Sequence, residues 1–81
     1  MRTHEFTLVL RKDPSDAQAE KLYGICDDGT LSTIAGVAQI DFHRAADSLE
    51  EALRSALVDV RAARLIVERV EIDPGAVLQA S

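Results

Sequence analysis

Residues 48–72 read SLEEALRSALVDVRAARLIVERVEI, an amphipathic helix that runs almost without a break into a strand. Ser48 and Glu51 have the spacing of a capping box: the hydroxyl accepts from the Glu51 N–H, and the carboxylate returns to the Ser48 N–H. Glu50 and Glu51 occupy the first turn, where the helix dipole favours negative charge. Leu49, Ala52, Leu53, Ala56, Leu57, Val60 and Ala63 then recur at helical spacing and form one apolar stripe. Glu50 and Arg54, spaced i,i+4 on the other side, add roughly 0.3 kcal/mol. Val58 and Ala62 also fall on the polar side, either as small residues in water or as a contact spot. Around Arg64 the period changes. Leu65, Ile66, Val67, Val70 and Ile72, interleaved with Glu68, Arg69 and Glu71, predict a strand near a sheet edge. Asp73-Pro74-Gly75 stops it.

The rest of the chain supplies the partners for this helix and strand. Residues 4–11 (HEFTLVLR) alternate, with Phe6, Leu8 and Leu10 on one face, and predict a first strand. Ser15 and Gln18 offer another capping box, opening a short helix that contains Ala19, Leu22 and Tyr23 and is expected to end at Gly24. Residues 25–30 (ICDDGT) predict a turn, with Asp28-Gly29 suited to positive φ. Residues 31–35 predict a short strand, Gly36 a turn or bulge, and residues 37–43 (VAQIDFH) a strand with Ala38, Ile40 and Phe42 on one face. The order is β-α-β-β-α-β. Right-handed crossovers place strands one and three centrally, giving an antiparallel sheet in the order 4-1-3-2 with two helices on one face. This is an α+β, ferredoxin-like arrangement, expected as a single domain over residues 1–81, with an ordered core at 4–73 and a tail at 74–81. The opposite sheet face would carry Glu5, Thr7, Val9, Arg11, Val37, Gln39, Asp41 and His43. Val9 and Val37 make that face half apolar, which predicts a homodimer. The candidate interaction surface comprises Val9, Val37, Gln39, Asp41, His43, Val58 and Ala62.

Composition narrows the function classes. The 81 residues are 47% hydrophobic, ordinary for a folded globule, but hold only three aromatic rings, Phe6, Tyr23 and Phe42. The core must therefore be aliphatic. A net charge of −5 argues against a nucleic-acid-binding module, which carries a basic stripe. Cys26 is the only cysteine, which excludes an intramolecular disulfide and suits a reducing cytoplasm. No apolar run reaches the roughly 18 residues of a membrane span, and the first residues lack a signal-peptide form.

Candidate chemistry is sparse, and no cofactor is expected. Asp47-Ser48-Leu49 at a helix start resembles the attachment triplet of acyl carrier proteins, in which the Ser carries phosphopantetheine. Those proteins are all-helical, and capping accounts for Ser48 here. Asp27, Asp28 and Asp41 would suit a hard cation if they converged, though without EF-hand spacing. His4 and His43 are expected to face each other on the central strands, but a third ligand for zinc is lacking. Cys26, beside Asp27 and Asp28, is a poor candidate thiolate. The glycine-rich phosphate loops are missing.

With the segments placed, HEFTLVL (4–10), CDDGT (26–30), IDFHRAADSLEEA (40–52), SALVDVRAARL (55–65) and VERVEIDP (67–74) together resemble the N-terminal domain of small bacterial regulators and antitoxin-like proteins that carry a helix-turn-helix behind it. DSLEEAL is similar to the helix of HicB-type antitoxins. In such proteins the DNA-binding helices follow the last strand, whereas this sequence stops at AVLQAS. The resemblance implies a non-enzymatic regulatory or oligomerisation domain, either stand-alone or the front of a longer regulator, and it supplies no functional residue. The competing expectation is a small-molecule sensor or small enzyme of the dimeric ferredoxin-like type. That would need a cavity between sheet and helices lined by Phe6, Phe42 and Tyr23, with His43 or Asp41 at its mouth.

Overall fold

A computed structural model describes residues 2–72; the expected C-terminal tail lies outside them. The elements are β1 (Arg2–Leu10), α1 (Asp16–Ile25), β2 (Gly29–Ile34), β3 (Val37–Ala46), α2 (Leu49–Ala62) and β4 (Val67–Glu71). The class is α+β, with one four-stranded sheet and two helices. The strand order is β2-β3-β1-β4, which counted from the β4 edge runs 4-1-3-2. All three strand pairs are antiparallel.

Period-two patterning sets the faces of the sheet. In the central pair Phe6 lies opposite Phe42 and Leu8 opposite Ile40. The two Phe rings stack with centroids 5.4 Å apart. Leu22 from α1 and Ala52, Ala56 and Val60 from α2 join Phe6, Leu8, Leu10, Ala38, Ile40 and Phe42 in one core, so both helices cover the same sheet face. The deepest line of α2 is Ala52, Ala56, Val60 and Ala63, all fully buried, while Leu49, Leu53 and Leu57 pack against it from the flanks. Small residues at the centre let the helix backbone approach the sheet closely.

Local signals place most boundaries. Ser15 and Gln18 form both halves of a capping box. At Ser48 only the forward half forms among the described residues, the hydroxyl accepting from the Glu51 N–H. Helix α1 does not end at Gly24. It continues through Ile25, and the Cys26 N–H bonds the Leu22 carbonyl. Gly24 stays in the helix because its neighbours on either side are anchored: Leu22 and Cys26 are buried, and the Tyr23 hydroxyl accepts from the Leu31 N–H at 3.0 Å.

Three further expectations are corrected. Gly29 begins β2 rather than serving as a positive-φ turn residue; a Cβ there would meet the Phe42 ring at 3.0 Å, so the missing side chain is a packing requirement. Ala35 is not in the strand but in the β2–β3 turn, with φ 54 beside Gly36 at φ 80, as a two-residue type I′ hairpin needs. Leu65 and Ile66 precede β4. Ala63 caps α2, and Arg64 follows it with φ 63. The Leu65 N–H then bonds the Val60 carbonyl and the Arg64 N–H the Arg61 carbonyl. That is a Schellman motif, with the buried Leu65 and Val60 as its hydrophobic contact.

Candidate functional site

The densest polar constellation centres on Arg44, which sequence reasoning passed over. Its even position on β3 puts it in line with Ala38, Ile40 and Phe42, on the helix side of the sheet. A guanidinium there must find partners. Nε donates to Asp28 Oδ2 at 2.8 Å and Nη2 to Asp28 Oδ1 at 2.9 Å, a bidentate fork. Nη2 also lies 2.8 Å from Asp59 Oδ2, Nη1 donates to Ser55 Oγ at 3.1 Å, and the guanidinium carbon sits 5.1 Å from the Phe42 ring centroid. Only 11% of the Arg44 side chain is exposed. One residue thus ties the α1–β2 turn, β3 and α2 together.

The titration behaviour follows from this geometry. The hydrogen bond from Arg44 holds the Asp28 carboxyl below its ordinary value, and the Arg44 pKa is raised chiefly by the same bond. Burial, then the nearby Asp28 charge, pushes the Cys26 thiol upward. Its Sγ contacts the Leu22 carbonyl oxygen at 3.5 Å, and the residue is buried. Cys26 is therefore a poor nucleophile. The cluster's donors and acceptors engage one another, so its chemistry is that of a clamp.

The expected ligand sets do not assemble. Asp28 points into the clamp, while Asp41 lies on the outer sheet face and accepts from the Thr7 hydroxyl at 2.6 Å. They do not converge with Asp27, and no group of three or more metal-ligating side chains occurs among the described residues. His4 and His43 do not face each other. In register, His4 opposes Arg44 and Glu5 opposes His43, so the alternation sends the imidazoles to opposite faces. His4 Nε2 sits 3.2 Å from the Ala46 carbonyl oxygen, and His43 Nδ1 sits 2.9 Å from Glu5 Oε1.

The lining expected for a sensor or enzyme cavity is likewise divided. Phe6 and Phe42 belong to the core, whereas Asp41 and His43 stand on the other side of the sheet. Tyr23 is 49% exposed beside β2. An open depression on the outer face is lined by Glu5, Thr7, Asp41, His43 and Glu71, among others, and four of these are already paired with each other. Ser48 is the cap of α2 in an α+β setting, not in an all-helical bundle.

The expected interaction surface is split between two layers. Val9 is closed off, 1% exposed, flanked in register by Gln39 and Arg69. Gln39 and Asp41 are half-buried, and His43 is exposed. Val37 is partly exposed next to Ile34 at the hairpin end. Val58, 61% exposed, and Ala62 lie on α2 in the helical layer. No helix among the described residues is long and apolar enough to cross a membrane. Compared with protein-family models, curated proteins and solved structures, the chain finds no match.

Proposed function

We propose that this ferredoxin-like domain works by association, as a non-enzymatic regulatory or oligomerisation module of the antitoxin-like kind, pairing with a second copy or holding a protein partner in the cytoplasm. One observation carries the reading. Every buried side chain among the described residues is apolar, and the clustered polar groups bond each other, while Ile34, Val37, Val58, Ile66 and Val70 remain exposed. A domain that occupies its polar groups internally and leaves aliphatic ones outside is suited to contact rather than to turnover. The net charge of −5 turns the same reading away from direct nucleic-acid binding. A sensor that used the open depression at Glu5, Asp41 and His43 would have to break the Glu5–His43 and Thr7–Asp41 contacts.

Sedimentation equilibrium from micromolar to millimolar concentration tests the proposal. A mass that rises with concentration, or a stoichiometric complex with a purified cellular partner, is the expected result. A strict monomer that binds no protein, yet shows specific small-molecule shifts at Asp41 and His43, would overturn it.

A further inference from the structure

The two edges of the sheet differ in kind. The β4 edge, Val67–Glu71, carries Glu68, Arg69 and Glu71, the charges with which proteins guard an open strand. The β2 edge, Gly29–Ile34, reads GTLSTI and carries none. Its hydrogen-bonding phase is fixed by the Asp28 carbonyl, which accepts from the His43 N–H, and by the pairing of Thr30 with Asp41 and Ser32 with Gln39. Even positions therefore bond inward to β3, and Gly29, Leu31 and Thr33 aim their N–H and C=O groups off the sheet. The Leu31 N–H meets the Tyr23 hydroxyl at 3.0 Å. Ser32 Oγ is shielded from solvent and has no partner among the described residues.

We propose that the β2 edge is the self-association surface, joining two copies antiparallel about a two-fold axis at Leu31 into one continuous sheet, with Tyr23 as the latch that competes for it. This rests on the association reading above and specifies its surface. Three observations favour a second copy as the occupant. A two-fold axis at Leu31 sets Gly29 opposite the partner's Thr33, so the outward groups of each strand find their complements in the other. It also sets Ser32 opposite the partner's Thr30, a cross-strand pair of small uncharged side chains. Finally, the antiparallel direction places Asp27 and Asp28 of one copy beside the uncharged Ile34-Ala35-Gly36 end of the other, where a parallel pairing would stack the acids. The pairing requires the Tyr23 hydroxyl to leave the Leu31 N–H, so the closed monomer carries its own brake.

The test compares the wild-type chain with Tyr23→Phe and Thr33→Pro by sedimentation equilibrium, with amide exchange read at Gly29, Leu31 and Thr33. Tyr23→Phe frees the Leu31 N–H in both copies and is expected to tighten the dimer at least about tenfold. Thr33→Pro removes an outward donor without touching the β3 ladder and is expected to abolish association while circular dichroism stays native. Protection of the three outward amides should appear with the dimer. If Thr33→Pro folds but associates like wild type, or if Tyr23→Phe is no tighter, the edge is not the interface. Should Val37→Glu or Val58→Glu break the dimer in that case, the association reading survives and only the surface is wrong. If neither wild type nor Tyr23→Phe self-associates at any concentration, the edge proposal falls, and the association reading keeps only its protein-partner form.

Discussion

Replacing Arg44 by Met tests whether the clamp organises the fold. The substitution keeps an unbranched apolar stem and removes the guanidinium, along with its position over the Phe42 ring. It leaves Asp28 and Asp59 with their charges and without their shared cation. Breaking one side of a fully buried ion pair typically costs about 3–5 kcal/mol, and this one is partly buried. Asp28 and Asp59 keep 27% and 28% of their side chains exposed, so water recovers part of the loss, and the lower end, about 3 kcal/mol, is expected. A domain of this size holds roughly 5–10 kcal/mol in total. With a urea m-value near 1 kcal/mol/M, the midpoint should fall by about 3 M. Arg44→Lys, which keeps the charge but loses the fork, should fall in between. Arg44→Met combined with Asp28→Asn and Asp59→Asn should recover much of the loss, because the uncompensated charges are gone. A loss below about 1 kcal/mol for Arg44→Met in reversible urea unfolding would refute the reasoning, since the network would then be surface decoration.

Arg64→Gly relieves the left-handed residue of the α2 terminus while keeping its backbone bonds, and should raise stability by about 0.5–1 kcal/mol in the same assay. Ala35→Asn, which completes an Asn-Gly type I′ turn, should raise the thermal midpoint for a similar reason. Ala56→Leu forces extra methylenes between α2 and β3, where nothing is exposed, and should cost about 1–3 kcal/mol in urea unfolding. The Asp28 carboxyl titrates lower when folded than its ordinary value of 3.8. Its contribution is therefore present above that value and lost as pH falls below it, so Asp28→Asn should flatten the acid limb of a stability–pH curve.

Much of the architecture was legible because its causes are local. Alternation in HEFTLVL and VAQIDFH follows directly from which side chains face the helices, and the Ser15 and Ser48 caps follow from three-residue spacings. What escaped depended on distant partners. Arg44 was detectable as an anomaly, a cation in register with Ile40 and Phe42, but nothing near it in sequence names Asp28 or Asp59 as its counter-ions. Arg64 and Ala35 adopt positive φ without being Gly or Asn, so composition gave no warning of the α2 stop or of the hairpin turn. The pairing of His4 with His43 failed by one residue of register, enough to send the two rings to opposite sides of the sheet. Val9 shows the limit of reading a face as solvent: a valine between Gln39 and Arg69 is covered by its neighbours without a second layer.

The central position of β1 bears on how the chain is made. Among the described strands it is the first to leave the ribosome, yet its two neighbours, β3 and β4, are synthesised later, with β4 the last of the described elements. Until β3 and α2 have followed, Phe6, Leu8 and Leu10 lack most of their core partners, so a chain stalled early presents an aliphatic ribbon to chaperones, proteases or other unfinished copies. Closure of the sheet therefore waits for β4, the last of the described elements to emerge.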